Sequence, residues 1–211
     1  MVIGVTGGVG TGKSTILQFL EERYHAAVIM ADDVAKELMN PGEASYDAIV
    51  AYFGEDILMP EEDPGIFADG AFRPIDRVRL SQIVFHDPDK LKALNAMTHP
   101  LVKVKIISLI DEYRRQGYEL IVLESAILIQ AGYRDLLDEL WVIHTDREKR
   151  FERLMQSRGY SAEKIKAIMR NQLPEEEMEA LADVVIDNSG SPEEARRQIR
   201  QRMEGNDKPC R

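Results

Sequence analysis

The stretch VIGVTGGVGTGKSTILQFL, residues 2–20, constrains this chain more than any other. A short β-branched run, VIGV, leads into Gly7, Gly8, Gly10 and Gly12, then Lys13-Ser14-Thr15. Ile16, Leu17, Phe19 and Leu20 follow at helical spacing. The pattern G-x-x-x-x-G-K-[ST] requires a strand before it and a helix behind it, and both are predicted here. Its glycines let successive backbone N–H groups close on phosphate oxygens with no Cβ in the way. The helix N-terminus adds free donors and a partial positive charge. Lys13 supplies a point charge for β- and γ-phosphates, and the Ser14 hydroxyl is a hard oxygen ligand suited to Mg²⁺.

Four further apolar runs repeat the opening strand: residues 26–30, 118–125, 139–145 and 182–188. Continuous apolar strands alternating with helical patterns predict an α/β fold, with a parallel sheet covered on both faces. About ninety residues separate the second and third strands. They include the helical patterns 76–85 and 89–115, the latter expected to break at Pro100, and a turn-rich segment at 61–74. That is too long for a simple crossover and predicts an inserted helical lobe. A second insertion, 146–174, is rich in arginine and helix formers.

The charge narrows the partners. With 27 basic and 37 acidic residues the net charge is −10, which argues against general nucleic-acid binding and requires any phosphate site to be locally basic. The single cysteine, Cys210, lies in a polar tail expected to fray. One cysteine forms no internal disulfide, so the expected compartment is the reducing cytoplasm. Nothing in the sequence suggests a membrane span, a signal peptide or an obligate protein partner.

Several side chains are candidates for chemistry. Asp32 stands just past the second strand, where ligands gather in open parallel sheets. It serves either as a base for an acceptor hydroxyl or, like Asp33, as a cap for the next helix. Glu124 ends the third strand, where a carboxylate either reaches Mg²⁺ directly or through water, or is a solvated group or helix cap. Arg147, Arg150, Arg153 and Arg158 recur at roughly helical spacing, and their planar forks suit phosphate. The alternative is a solvated face balancing nearby glutamates; for phosphate contact, Arg153 and Arg158 are preferred. Asn188 follows the fifth strand and is either a contact for the adenine or part of a simple strand-ending turn. His99, beside Pro100, is placed near the acceptor and given no catalytic role. No Asn/Thr-Lys-x-Asp segment follows the fourth strand, which argues against a guanine-nucleotide switch protein.

Taken in order, several blocks resemble the dephospho-coenzyme A kinase family. These are GVTGGVGTGKST, VIMADDVAKEL, IDRVRLSQIVF, THPLV, RLMQSRGYS and NQLPEEEMEALADVVIDNSGS, spanning Val2 to about Arg202. The resemblance implies the P-loop nucleoside-triphosphate hydrolase fold. It also implies phosphoryl transfer from ATP, with Mg²⁺, to the ribose 3′-hydroxyl of dephospho-CoA. By it the chain divides into a nucleotide core (about 1–32, 116–145 and 175–204), an acceptor lobe (about 33–115), a lid (about 146–174) and a flexible tail (205–211). The family's phosphate-loop residues fall on Gly8, Gly10, Thr11, Gly12, Lys13, Ser14 and Thr15. Its catalytic aspartate falls on Asp32, and an acceptor-lobe arginine falls on Arg77. Within the lid so implied, Arg153 is expected to be catalytic and Arg158 to contact ATP. The chain departs from the family pattern at Met30, Ala126, Gln130 and Arg150, and Arg158 lies one place late.

Overall fold

β1 (Val2–Thr6) is the middle strand of a five-stranded sheet, although it is the first element of the chain. The order is β2 (Ala27–Met30), β3 (Ile121–Glu124), β1, β4 (Glu139–His144), β5 (Val184–Asp187), and every pairing is parallel. Register aligns Val5 with Glu124 on one side and with Trp141 on the other. The computed structural model describes residues 1–60, 73–170 and 172–205. Most of the turn-rich segment at 61–74, the end of the tail and Cys210 lie outside the described residues.

The chain forms two compact units, one of Met1–Met30 with Ile110–Arg211, the other of Ala31–Leu109. In the first, β1 is buried along its whole length, as a central parallel strand must be. On one face Ile3, Val5, Trp141 and Ile143 pack with Ile16, Leu17 and Leu20 of α1 (Lys13–Tyr24) and with Ala195 and Ile199 of α9 (Pro192–Met203). On the opposite face Gly4 leaves room for Leu137 and Leu128; a Cβ there would stand 2.3 Å from Leu137 Cδ1. Also in this unit are α6 (Arg147–Arg158), α7 (Ala162–Arg170) and α8 (Glu175–Ala180).

The second unit holds α2 (Ala31–Leu38), α3 (Tyr46–Phe53), α4 (Arg77–Phe85) and most of α5 (Pro88–Arg115). Its own core joins Tyr46, Ile49, Ile57, Leu58, Ile75, Leu80 and Leu94. Asp76 caps α4, its carboxylate accepting from the N–H groups of Val78 and Arg79 at 3.0 Å each.

The helix break expected at Pro100 does not occur: α5 runs through it. Proline removes one backbone donor and crowds the preceding turn. Against that, Leu94, Thr98, Val102 and Ile106 form a buried stripe at four-residue spacing on both sides of Pro100. The Thr98 hydroxyl also donates to the Leu94 carbonyl at 2.9 Å. The third strand begins three residues later than its apolar run, because Tyr118 closes the end of α5. Its N–H reaches the Tyr113 carbonyl at 3.0 Å across Gly117, which has φ +89°. Among the described residues no helix is long and apolar enough to cross a membrane.

Candidate active site

The loop between β1 and α1 has the shape its glycines permit. Gly10 and Gly12 adopt φ +81° and +84°, a region L side chains avoid. Gly12 is the residue before α1, so the helix N-terminus opens directly onto the loop. Lys13 turns back over it: Nζ donates to the Gly7 carbonyl at 2.9 Å and lies 3.6 Å from Glu124 Oε1. Both side chains are largely buried, so the lysine's charge has a matched carboxylate at the end of β3. Ser14 and Thr15 stand exposed on the first turn of α1.

Neighbouring elements clasp the loop from outside. Thr11 is fully buried, and its hydroxyl donates to the Gly8 carbonyl at 2.9 Å. The Thr11 carbonyl accepts from Thr145 Oγ1 at 3.0 Å and from Asn188 Nδ2 at 2.8 Å. Arg150 lies against Gly8 so closely that a Cβ there would stand 2.2 Å from Nη2. Its Nε donates to the Val9 carbonyl at 3.0 Å, and Nη1 pairs with Glu175 Oε2 at 3.3 Å. Burial pushes the Arg150 pKa down, and the Glu175 charge opposes that shift. The Val9 N–H donates to Gln172 Oε1 at 3.0 Å.

The same face carries a cleft of about 440 Å³ lined by Arg147, Arg150, Lys166, Arg170, Gln172 and Glu175, among others. Four cations in one cleft of a chain with net charge −10 make a locally basic pocket beside the loop.

The sequence candidates fall into three groups. Gly8, Gly10, Thr11, Gly12, Lys13, Ser14, Thr15, Glu124, Asn188 and Arg153 come together around the loop. Arg153 Nη2 donates to the Asn188 carbonyl at 2.9 Å, and Nη1 lies 3.4 Å from Thr145 Oγ1. Asn188 is buried and holds loop backbone. Arg158, by contrast, is exposed at the end of α6, with its guanidinium 6.0 Å from the Tyr160 ring.

Asp32, Arg77 and His99 belong to the second unit. Asp32 and Asp33 both lie inside the first turn of α2, where negative charge is favoured, rather than at a cap position. Asp33 pairs with Lys36 at 2.6 Å, whereas Asp32 is exposed and has no ionic or hydrogen-bonding side-chain partner among the described residues. Arg77 Nη2 donates to the Lys36 carbonyl at 2.8 Å and to Asn40 Oδ1 at 2.9 Å, which ties it to the helix that begins beside Asp32. His99 is half-buried in α5, and burial lowers its pKa.

Arg150 is the arginine of α6 whose guanidinium lies against Gly8. The arginine spacing selected the helix, but only the fold shows which arginine faces Gly8.

This geometry has counterparts among known proteins. The family model for dephospho-CoA kinase matches residues 1–194. A dephospho-CoA kinase of Geobacter sulfurreducens is 42% identical over 198 residues, covering 94% of this chain and 94% of its own. Among solved structures, TT1252 from Thermus thermophilus is similar with a TM-score of 0.76 and 30% identity, covering 99% of this chain and 98% of its own. A dephospho-CoA kinase from Campylobacter jejuni is similar with a TM-score of 0.67 and 26% identity, covering 98% of each chain. The glycine loop, its buried lysine–glutamate pair and the parallel sheet that presents them thus lie within a match that runs nearly end to end, and the chain belongs to the dephospho-CoA kinase family.

Proposed function

We propose that the chain transfers the γ-phosphoryl group of ATP to the 3′-hydroxyl of the dephospho-CoA ribose, giving coenzyme A and ADP, with Asp32 as general base. The observation that carries the ATP half is Lys13, folded over the loop 2.9 Å from the Gly7 carbonyl with Glu124 behind it. Phosphoryl transfer depends chiefly on positioning and charge stabilisation, and a preorganised cation at the β- and γ-phosphates provides both. Ser14 and Glu124 offer the hard oxygen donors that Mg²⁺ prefers, so this chain's residues fit the ion. When bound, Mg²⁺ neutralises charge on the phosphate oxygens. The basic cleft beside Arg150, with its cations all from residues 146–174, supports the binding of phosphate next to the loop.

Asp32 supports the acceptor half. The ribose hydroxyl attacks phosphorus, the bond from the γ-phosphorus to the bridging oxygen breaks, and the hydroxyl proton passes to the carboxylate. Asp33 is held by Lys36, which leaves Asp32 as the available base. In the same reading residues 33–115 serve the acceptor and residues 146–174 close over the nucleotide. ATP with acceptor should then protect 146–174 from proteolysis, and equal cleavage with and without ligands would refute the closure.

The deciding experiment measures ADP release with and without dephospho-CoA, followed by Asp32→Asn and Asp33→Asn. Asp32→Asn should lower kcat by roughly 10²–10⁴-fold with ATP affinity nearly unchanged, and Asp33→Asn should do much less. No stimulation by dephospho-CoA would remove the substrate assignment. Equal effects of the two substitutions would move the base elsewhere.

A further inference from the structure

His144 ends β4 with its Nδ1 facing two carboxylates from α8. Nδ1 lies 2.7 Å from Glu179 Oε1 and 3.1 Å from Glu175 Oε1. The two glutamates are four residues apart, so one helix face presents both. The three ligand atoms lie within 4.8 Å of one another. On the far side of the ring, Asp146 Oδ1 is 3.7 Å from Nε2. All of these residues belong to the sheet-containing unit, and His144 and Glu179 have no part in the phosphoryl-transfer reading, while Glu175 touches it only through its pair with Arg150.

We infer that His144, Glu175 and Glu179 form a binding site for one divalent transition-metal ion of the Zn²⁺ class, separate from the Mg²⁺ that accompanies ATP. The donor set selects the metal. One imidazole nitrogen with two carboxylate oxygens suits Zn²⁺, whereas Mg²⁺ prefers oxygen alone in octahedral geometry. The spacing fits as well. Around a tetrahedral ion with bonds near 2.0–2.1 Å, ligand atoms stand roughly 3.3 Å apart. To admit the ion, the Nδ1 distance to Glu175 needs to widen by about 0.2 Å and that to Glu179 by about 0.6 Å.

The surroundings have a feature that a plain ion-paired histidine does not require. A metal-bound imidazole orients best when its other nitrogen faces a carboxylate, and Asp146 stands on that side. The backbone holds the ring in place: the His144 carbonyl accepts from the Asn188 N–H at 2.9 Å, and β5 lies alongside in register. Glu175 can serve two partners, since Oε1 faces His144 while Oε2 holds Arg150. Three protein ligands leave the fourth position to water.

The test uses the full chain, stripped of metal by a chelator and held in millimolar Mg²⁺ without nucleotide. Titration with ZnCl₂, followed calorimetrically, should give one site per chain. His144→Ala and Glu179→Gln should each weaken it at least about 10-fold, and Cys210→Ser should leave it unchanged. Ring-¹⁵N spectra of the wild-type histidines should show one Nδ1 shifting at one equivalent of Zn²⁺, and that signal should be missing from His144→Ala. The spectra need no variant stability to report, because the wild-type titration reads the ring directly. Wild-type affinity in His144→Ala, loss of binding in Cys210→Ser, or an unmoved His144 ring would each overturn the assignment.

Discussion

Gly12→Ala tests whether the clasp around the phosphate loop is rigid. Two costs are expected. An alanine at φ +84° sits in the left-handed region, at about 1–2 kcal/mol. Its Cβ would also stand 2.4 Å from Asn188 Nδ2, far inside carbon–nitrogen contact. Asn188 is buried and uses that amide to hold the Thr11 carbonyl at 2.8 Å. Displacing it leaves a buried donor unsatisfied, at about 1–3 kcal/mol. The total is about 2–5 kcal/mol. Gly117→Ala is the control, because Gly117 has nearly the same φ, +89°, with no atom within 4 Å of a Cβ. It should cost the backbone part alone, about 1–2 kcal/mol. Urea unfolding followed by tryptophan fluorescence measures both in the relevant unit, since Trp141 is the chain's single tryptophan and is fully buried in that core. In an Asn188→Ala background the cost of Gly12→Ala should fall to that of Gly117→Ala. If the two glycine substitutions cost the same in the wild type, or if the Asn188 background changes nothing, Asn188 yields freely and the loop is not held as described.

Two further outcomes follow from the same site. Lys13→Ala should reduce kcat by on the order of 10²–10³-fold while the circular dichroism spectrum is retained, and turnover near wild type would contradict the role assigned to the lysine. Arg150→Ala should destabilise the sheet-containing unit by about 1.5–3 kcal/mol in the same fluorescence assay, because it removes charged hydrogen bonds to Val9 and Glu175. Arg150→Lys should restore little, since an ammonium cannot reproduce the fork, and full rescue would show that charge alone matters there.

The elements that sequence made legible are those whose pattern and physics coincide. The five apolar runs became the five parallel strands, and the loop was readable because glycine, lysine and serine each answer a separate geometric demand. Strand ends were less legible: Tyr118 reads as strand by composition but closes a helix through a backbone bond across Gly117. Pro100 misled because local propensity predicts a break, while the buried stripe from Leu94 to Ile106 is a tertiary effect. The capping box at Ser191–Glu194 was present in the sequence as S-x-x-E and could have fixed the start of α9. Arg150 and the grouping of His144 with Glu175 and Glu179 depend on which strand neighbours which, and a single sequence does not encode that in any local pattern.

The position of β1 also sets a timetable for synthesis. β1 finds its partners at residues 121–124 and 139–142, so residues 7–120 must be made after it before either flank is paired, and residues 7–138 before both begin to be. Residues 31–109 are complete earlier and carry a core of their own. Pairings between distant parts of a chain are slow to close, and an apolar strand awaiting them is exposed to wrong partners. The nucleotide loop, whose motif is local in the sequence, is therefore seated only after Thr145, Arg150 and Asn188, far along the chain, have been made.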